Sequence, residues 1–337
     1  MIKNTLALVA LLAITAVAPR DAAAQSPSFE GKTIIIVVGF KSGGGYDRVA
    51  RVLARHLPKY LPGTPNVIVQ NMPGANSIIA ANHVYNVAKP DGLTIGTFNR
   101  NLVLAQLTNV RGVKFDQTKF AWIGSAASES TILAIRSDLP YQTFDELRKS
   151  GKTLVAGATG PGANTYDFPL LLKEFLGVDI KIVSGYSSSA DIMLAIERKE
   201  VDARAGSYTS LRPFIDRKLV HPVIRARAVE PGIEQLPVDE ALAPNARAKA
   251  IMALRSAPEV IGRPYVMTPG TPAETLRIMR DAFAKAIKDP ELVAEATKAK
   301  MELEYTSGED TLKILTEVLS QPKDVVDEFS KYIKFGE

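Results

Sequence analysis

The sequence predicts an α/β protein of two lobes with similar topology, joined by a hinge. First, units of strand, glycine-rich turn and helix follow one another in two sets with the same order of elements. Second, a chain of 337 residues exceeds the length that a single hydrophobic core usually serves. Third, two segments are candidate crossings between the sets, an outgoing strand at Ile132–Arg136 and a return near Ala253–Met267.

The first set begins with Thr33–Phe40, a continuous β-branched run typical of a strand that is covered on both faces. The turn KSGGGYD and an amphipathic helix ending before Pro62 follow it. A strand at Asn66–Gln70, the turn NMPGANS, a helix at Ile78–Ala88 and a strand at Leu93–Phe98 complete the set. Right-handed crossovers then make these strands parallel, with all their carboxyl ends at one edge.

The second set repeats this order after Lys152. Its strands are TLVAGA, VDIKIV and VDARAGS, its turns are TGPGANT and SGYSSSAD, and its first helix is Tyr166–Leu176. The helices that follow Thr271 are expected to pack back on the first lobe. We therefore divide the chain into a leader at residues 1–24, a first lobe at 25–127 plus 259–337, and a second lobe at 128–258.

The leader is predicted from Lys3, the apolar run Leu6–Val17 and the small residues before a cleavage site after Ala24. The run is too short to span a bilayer. The chain contains no cysteine, so neither a lipid anchor nor a disulfide is available. We expect a soluble mature protein in the periplasm. The whole chain has a formal net charge of +5, and its basic residues are scattered, which argues against nucleic-acid binding.

Two of the glycine-rich turns, KSGGGYD of the first set and TGPGANT of the second, are candidate anion sites. Unpaired N–H groups and the positive end of the helix dipole meet at each of them. One such turn is weak support, since a glycine after a strand is most often only a turn, but two facing turns count for more. Lys41 and Arg100 follow strands at the same edge and either donate charge-assisted hydrogen bonds or stay solvated. Asp47 suits helix capping.

Catalytic motifs are missing from the sequence. The GKT triplets at Gly31 and Gly151 lack the upstream glycine of a phosphate-binding loop, and no G-x-S-x-G motif occurs. Three histidines at unrelated positions do not suggest a zinc site. We expect no enzyme, metal or cofactor. The alternative is an exported hydrolase using Ser187 or Ser188, for which the sequence offers no general base.

Long segments resemble the substrate-binding receptors of tripartite tricarboxylate transporters, the Bug family. They include FEGKTIIIVVGFKSGGGYDRVARVLARHLPKYL, NVIVQNMPGANSIIAANHVYNVAKPDGLTIG and VAGATGPGANTYDFPLLLKEFLG, with GGGxD, PGA and PDG at the family's intervals. The resemblance covers essentially the whole mature chain. It implies a type II periplasmic-binding (Venus flytrap) fold, no catalysis, and carboxylates held by backbone amides and water in the two glycine-rich loops. It also implies the small and large membrane subunits of a transporter as partners of a monomer.

By position, the resemblance and the strand ends together give one set of candidate ligand-binding residues. They are Lys41, Ser42, Gly43, Gly44, Gly45, Tyr46, Asp47, Gly74, Ala75, Asn76, Asn99, Arg100, Thr159, Gly160, Pro161, Gly162, Ala163, Asn164, Thr165, Tyr186, Ser187, Ser207 and Tyr208.

The pocket departs from the family at Gly39–Ser42 and at Ser184–Tyr186, so the ligand stays open. Lys41 or Arg100 would suit a dicarboxylate, whereas Tyr46, Tyr186 and Tyr208 would suit an aromatic acid. A receptor that reports to a membrane sensor is a further alternative to transport.

Overall fold

A computed structural model describes residues 27–127, 129–301 and 303–333. The predicted leader lies outside the described residues. The strands are β1 (Thr33–Val38), β2 (Asn66–Asn71), β3 (Thr94–Thr97), β4 (Ala121–Ser125), β5 (Thr131–Arg136), β6 (Leu154–Gly157), β7 (Ile180–Val183), β8 (Ala203–Ser207), β9 (Val220–Arg225), β10 (Pro264–Met267) and β11 (Thr306–Ser307).

Helices cover both sheets and connect most of the strands. They are α1 (Gly45–His56), α2 (Ile78–Asn86), α3 (Leu102–Leu107), α4 (Phe144–Lys149), α5 (Asn164–Leu176), α6 (Ser189–Glu197), α7 (Tyr208–Asp216), α8 (Ala246–Ser256), α9 (Ala273–Ile287), α10 (Pro290–Lys298), α11 (Gly308–Leu319) and α12 (Lys323–Tyr332).

The first lobe is built on a sheet with the strand order β11-β4-β10-β3-β1-β2. Strand β1 pairs in parallel with both β2 and β3, as predicted, so the carboxyl ends of these strands share one edge. Strand β1 lies between β3 and β2, and helices cover both of its faces. Accordingly, Ile34, Ile36 and Val38 are completely buried.

The second lobe is built on a sheet with the order β7-β6-β8-β5-β9. Strand β6 is parallel to β7 and β8, whereas β5 is antiparallel to β8 and β9. The predicted outgoing strand is therefore present as β5. The predicted return over Ala253–Met267 is only partly a strand, because α8 and a 3-10 turn at Ala257–Ile261 occupy most of it, and only β10 enters the first sheet.

The C-terminal helices divide between the lobes. Helices α9 and α11 pack on β4 and α10 packs on α1, all in the first lobe, as expected. Helix α12 instead packs on α8 of the second lobe. The ring of Tyr332 lies 4.9 Å from that of Phe175, and Arg247 pairs with Glu328. A third chain segment therefore passes between the lobes.

Gly262 lies in the return crossing, directly beside the outgoing segment. Its φ is +61°, and a Cβ atom there would overlap the backbone carbonyl oxygen of Ala127. Only glycine combines this backbone angle with such a close approach of two chain segments. The two crossings are consequently packed against each other without intervening side chains.

A buried polar cluster supports the loop that precedes α5. The carboxylate of Asp167 accepts the N–H of Gly162 at 2.9 Å. Arg255 is fully buried nearby, 3.2 Å from Glu259 and 3.7 Å from Asp239. Burial raises the pKa of Asp167 and of Asp239 to about 7 in each case. The loop before α5 is thus held in place by the buried carboxyl group of Asp167, which titrates near neutrality.

Replacing Gly262 by alanine should lower the free energy of unfolding by about 3 kcal/mol or more, because the new methyl group meets the backbone of Ala127 in a strained conformation. Gly151→Ala is the matched control, since Gly151 has a φ of +62° but open space around it. That control should cost about 1 to 2 kcal/mol. Urea unfolding measures both, and equal losses would contradict this account of the crossing.

The pKa of Asp167 predicts a specific dependence of stability on pH. Its ordinary pKa of 3.8 rises to about 7 on folding. Between these values the folded protein holds more protons than the unfolded chain, so the free energy of unfolding falls as pH rises. Asp167→Asn should remove the contribution of this carboxyl group to the fall in the free energy of unfolding. The variant should therefore gain stability relative to the wild type as pH increases from about 4 to about 7.

The control for this pH series is Asp138→Asn. Hydrogen bonds from Arg136 and Lys199 lower the pKa of Asp138 to about 2, so its contribution changes only in more acidic solution. Denaturant unfolding across the pH series should show a constant difference for this variant and a changing one for Asp167→Asn. A constant difference for both would show that Asp167 does not titrate in this range.

Candidate functional site

A cavity of about 90 Å³ lies between the two lobes, where the loops after β1, β3, β6 and β8 face one another. Both lobes contribute to its wall. The residues that line it are Phe40, Gly44, Gly45, Tyr46, Asn99, Arg100, Glu129, Thr159, Ala163, Asn164, Thr165, Ser188, Ser189, Arg204, Gly206, Ser207, Ser210 and Arg263.

The first-lobe loop is held in shape by Asp47, which is buried behind it. Its carboxylate accepts the N–H of Gly43 and the side-chain amide of Asn71, each at 2.9 Å, and pairs with Arg51. Burial alone would raise the pKa of Asp47, but the hydrogen bonds from Arg51, Gly43 and Asn71 lower it overall. Asp47 thus acts as a brace for Gly44 and Gly45 and does not line the cavity.

The second-lobe loop repeats this arrangement. Asp167 lies in the first turn of α5, as Asp47 lies in that of α1, and it too accepts an N–H from a preceding glycine. The hydroxyl of Thr165 accepts the N–H of Thr159 at 3.0 Å and closes the loop. Each lobe therefore presents a helix start whose loop is fixed by a buried carboxyl group.

Three arginines and one glutamate form the charged part of the cavity wall. Their exposed fractions are 4% for Arg100, 3% for Arg204, 2% for Arg263 and 1% for Glu129. Glu129 pairs with both Arg100 and Arg263. Within the described part of the chain, Arg204 has no carboxylate within ion-pair distance and donates to the hydroxyl of Ser210 at 2.7 Å. Positive charge exceeds negative charge in this wall.

The pKa values of Arg204 and Glu129 support this charge count. Burial, together with the neighbouring Arg263, lowers the pKa of Arg204 to about 10, which leaves it a cation at neutral pH. Burial of Glu129 is outweighed by Arg263 and Arg100, so the pKa of Glu129 is lowered and the group stays ionised. Among the described residues that line it, the cavity therefore has three cations and one anion.

An aromatic pair forms another part of the wall. The rings of Phe40 and Tyr46 stack with centroids 5.2 Å apart. The hydroxyl of Tyr46 accepts the backbone N–H of Arg100 at 3.0 Å, and the guanidinium of Arg263 lies 5.4 Å from the Tyr46 ring. Burial raises the pKa of Tyr46, so the phenol is neutral. The cavity therefore combines an apolar face with a cationic one.

Direct hydrogen bonds join the lobes around the cavity, so the structure represents a closed form. Asn99 donates to the carbonyl of Gly162 at 3.1 Å, and Asn101 donates to the side chain of Asn164 at 2.8 Å. Further links join Asn76 to Pro161, Lys41 to Ser187 at 2.9 Å and Arg263 to Ser207 at 3.4 Å.

The residues predicted from the sequence fall into two groups. Those that line the cavity are Gly44, Gly45, Tyr46, Asn99, Arg100, Thr159, Ala163, Asn164, Thr165 and Ser207. Those that lie outside its lining are Lys41, Ser42, Gly43, Asp47, Gly74, Ala75, Asn76, Gly160, Pro161, Gly162, Tyr186, Ser187 and Tyr208. Several of the second group, including Lys41, Asn76 and Asp47, join the lobes or brace the loops.

The sequence analysis missed part of the cavity wall, most importantly Arg204, Arg263 and Glu129. Arg204 had a usable signal, because it interrupts a strand of small apolar residues where arginine is rarely buried. Arg263 and Glu129 had none, since they flank the crossings in segments without a regular pattern. Their role depends on contacts between distant parts of the chain.

Two other features contain side chains of the kinds that bind metal ions or act as nucleophiles. His56, Asp289 and Glu291 hold possible metal-ligating atoms within 4.8 Å of one another, but Asp289 already binds Lys59 and Tyr60. Ser187 contacts Lys41 at the exposed surface, and the hydroxyl of Ser188 accepts the N–H of Asp191 at the start of α6. Neither the acidic cluster nor Ser187 lines the cavity, and the hydroxyl of Ser188 serves as a helix cap.

Structural comparison supports the two-lobed fold. The periplasmic binding protein BugD has a TM-score of 0.74 at 20% identity, covering 90% of this chain and 98% of its own. MatC of Rhodopseudomonas palustris with bound malate has a TM-score of 0.70 at 20% identity, covering 87% and 98%. The predicted type II periplasmic-binding fold is thus confirmed. None of the helices in the described ranges has both the length and the apolar character needed to cross a membrane.

Sequence comparison identifies the family. A Cupriavidus necator protein, the UPF0065 protein in gbd 5' region, is 24% identical over 331 residues, which span 95% of this chain and 94% of that one. A UPF0065 protein of Bordetella pertussis is 24% identical over 322 residues, spanning 90% and 92%. The family model for the tripartite tricarboxylate transporter family receptor matches residues 49–330. The chain therefore belongs to the receptors of the tripartite tricarboxylate transporter family.

Proposed function

We propose that this chain is an exported receptor that closes its lobes around a small carboxylate-bearing molecule and performs no catalysis. The observation that carries the proposal is the charge of the interlobe cavity, where Arg100, Arg204 and Arg263 outnumber Glu129 among the described lining residues. Because buried charge is unfavourable without an opposite charge nearby, such a cavity suits an anion. The family relationship favours a carboxylate, and the structural neighbour MatC carries bound malate.

The two helix starts give further support. Neither Gly44, which precedes α1, nor Ala163, which precedes α5, provides a side-chain cap. N–H groups of the first helical turns therefore remain available, and the helix dipoles favour negative charge at this place. Since the two helices start on opposite lobes, one ligand can contact both only when the lobes are closed.

Closure follows from this geometry. A ligand shifts the balance between open and closed forms only if it binds the closed form more tightly. Contacts from both lobes supply that difference, whereas the interlobe hydrogen bonds of Asn99 and Asn101 stabilise the closed form whether or not a ligand is bound. Ligand binding and lobe closure are then one coupled event.

We further propose that the leader at residues 1–24 directs the protein to the periplasm, where the closed, liganded monomer docks on the small and large membrane subunits of a transporter. A receptor that reports to a membrane sensor is the alternative. Affinity capture with the liganded protein distinguishes these, since transporter subunits or a sensor would be recovered.

A hydrolase has no support, because Ser187 is exposed outside the cavity and Ser188 caps α6.

A thermal-shift screen of the mature chain tests the proposal. The compounds are short dicarboxylates, citrate, aromatic acids, amino acids and neutral sugars. Ligand at 100 times its Kd should stabilise the native protein by about 2.7 kcal/mol, which is readily measured as a rise in Tm. Stabilisation confined to carboxylates is expected. Stabilisation by sugars alone, or by none of the compounds, would contradict an anion receptor.

Gly44→Leu tests the position of the site. The backbone of Gly44 is extended, with φ −79° and ψ 173°, so a side chain is allowed there. Its Cβ would lie 3.2 Å from the hydroxyl of Ser189 on the other lobe. The leucine should therefore fill the cavity and keep the lobes apart, weakening binding by about tenfold or more.

The control for Gly44→Leu is Ala294→Leu, at an exposed position of α10 in the same lobe. Titration calorimetry with the carboxylate found in the screen should show unchanged affinity for this control. Both proteins should retain a cooperative thermal transition. Wild-type affinity in Gly44→Leu would place the ligand elsewhere.

A further inference from the structure

We propose that Arg204 and Arg263, which reach the cavity from opposite lobes, together bind one ligand carrying two negative charges, and that this balance of charge closes the receptor. The inference rests on the proposed function, because it assumes an anionic ligand between the lobes. It adds the charge of that ligand and the residues that select it.

The charge count of the cavity carries the first step. Glu129 is shared between Arg100 and Arg263, so one carboxylate faces three guanidinium groups. Two positive charges are left over in a wall where these side chains are almost fully buried. A monoanion would neutralise only one of them, whereas a dianion neutralises both.

Unpartnered hydrogen-bond donors carry the second step. Within the described ranges, the Nε atoms of Arg204 and Arg263 and the Nη1 atom of Arg263 are buried without a hydrogen-bond acceptor. Leaving buried charged donors unpaired is unfavourable, and carboxylates are the acceptors that guanidinium groups bind best. These donors are therefore available to two anionic groups of a ligand.

The placement of the two arginines carries the third step. Arg204 belongs to β8 of the second lobe, and Arg263 directly precedes β10 of the first. Glycines make room for both groups, since a Cβ at Gly45 would lie 2.5 Å from Nη1 of Arg263 and one at Gly206 would lie 2.9 Å from Nη2 of Arg204. The third glycine of the GGG turn therefore has a role in seating Arg263 as well as in shaping the loop.

Electrostatics then links ligand charge to closure. When the lobes meet, the two cations are brought together in a poorly hydrated space, and their repulsion opposes the closed form. The lowered pKa of Arg204, caused first by burial and then by Arg263, reflects this repulsion in part. A dianion between them replaces repulsion with attraction from both sides. A compound with one charge should bind more weakly because it leaves part of the repulsion in place.

The test compares matched ligands. Titration calorimetry at neutral pH would measure succinate, malate and adipate beside their monoamides, which have nearly the same size and keep one carbonyl acceptor at the changed end but carry one charge fewer. The wild type should bind the best dicarboxylate about tenfold or more tightly than its monoamide. Arg204→Gln, which retains a donor for Ser210, should weaken the dicarboxylate by a similar factor and reduce this preference to about one.

Arg217→Gln is the matched control, because Arg217 is an exposed arginine of the same lobe that pairs with Glu197. It should leave both affinities unchanged. A second measurement is small-angle scattering of the unliganded proteins. Without the repulsion from Arg204, the Arg204→Gln variant should be more compact than the wild type. A loss of packing at this residue would not produce that change.

The outcomes separate the two proposals. Equal affinity of the wild type for dicarboxylate and monoamide, or an unchanged preference in Arg204→Gln, would overturn selection by charge while leaving a carboxylate receptor intact. Failure of the wild type to bind any carboxylate of either series would overturn the receptor itself and this inference with it. Dicarboxylate affinity that falls in Arg204→Gln to the level of an unchanged monoamide affinity would support both.

Discussion

The buried ionic cluster formed by Arg100, Arg204, Arg263 and Glu129 is the constraint on which the two-lobed arrangement depends. Its members come from both sheets and from the crossings between them. Removing several charged groups from water is costly unless they are paired and hydrogen-bonded. Glu129, beside the outgoing crossing, supplies part of that pairing by binding Arg100 and Arg263 from separate segments of the chain. The remaining positive charge is the basis on which we propose an anionic ligand.

The cavity also depends on two loops whose backbone must stay fixed while the lobes move. Asp47 and Asp167 provide this by accepting N–H groups of the glycine-rich turns from behind. Because neither carboxyl group lines the cavity, the loops can face an anion without a negative side chain beside it. The same local solution occurs in both lobes, at YD in α1 and at YD in α5. The parts of the wall that these two loops contribute are therefore free of carboxylate side chains.

Much of the fold was predictable because it follows from local patterns. The β-branched run of β1 and the glycine turns predicted the parallel strands and their shared edge, and the repeat of this order predicted the second lobe. The return crossing was harder, since its helical turn at Ala257–Ile261 has no distinctive sequence pattern. The attachment of α12 to α8 was not predictable either, because an amphipathic helix does not indicate which lobe it covers. The division into lobes by residue number stays a prediction.

The sequence analysis identified loops that line the cavity but, of its four charged groups, only Arg100. Gly44, Tyr46 and Asn164 line the cavity because their loops must be there. Lys41, a candidate ligand-binding residue, lies outside the cavity lining and donates to Ser187, and its role toward a ligand stays a prediction. Arg204, which lines the cavity, had a signal in its strand of small apolar residues. Arg263, which also lines it, had none, because burial of a charge depends on partners far away in sequence.

The attachment of α12 to the second lobe has a mechanical consequence. Three chain segments, and not two, connect the described parts of the bodies that move, and the third is fastened by Arg247 with Glu328 and by Tyr332 with Phe175. Any relative movement of the lobes must therefore accommodate three links, and the third must either carry α12 along with the second lobe or break these contacts.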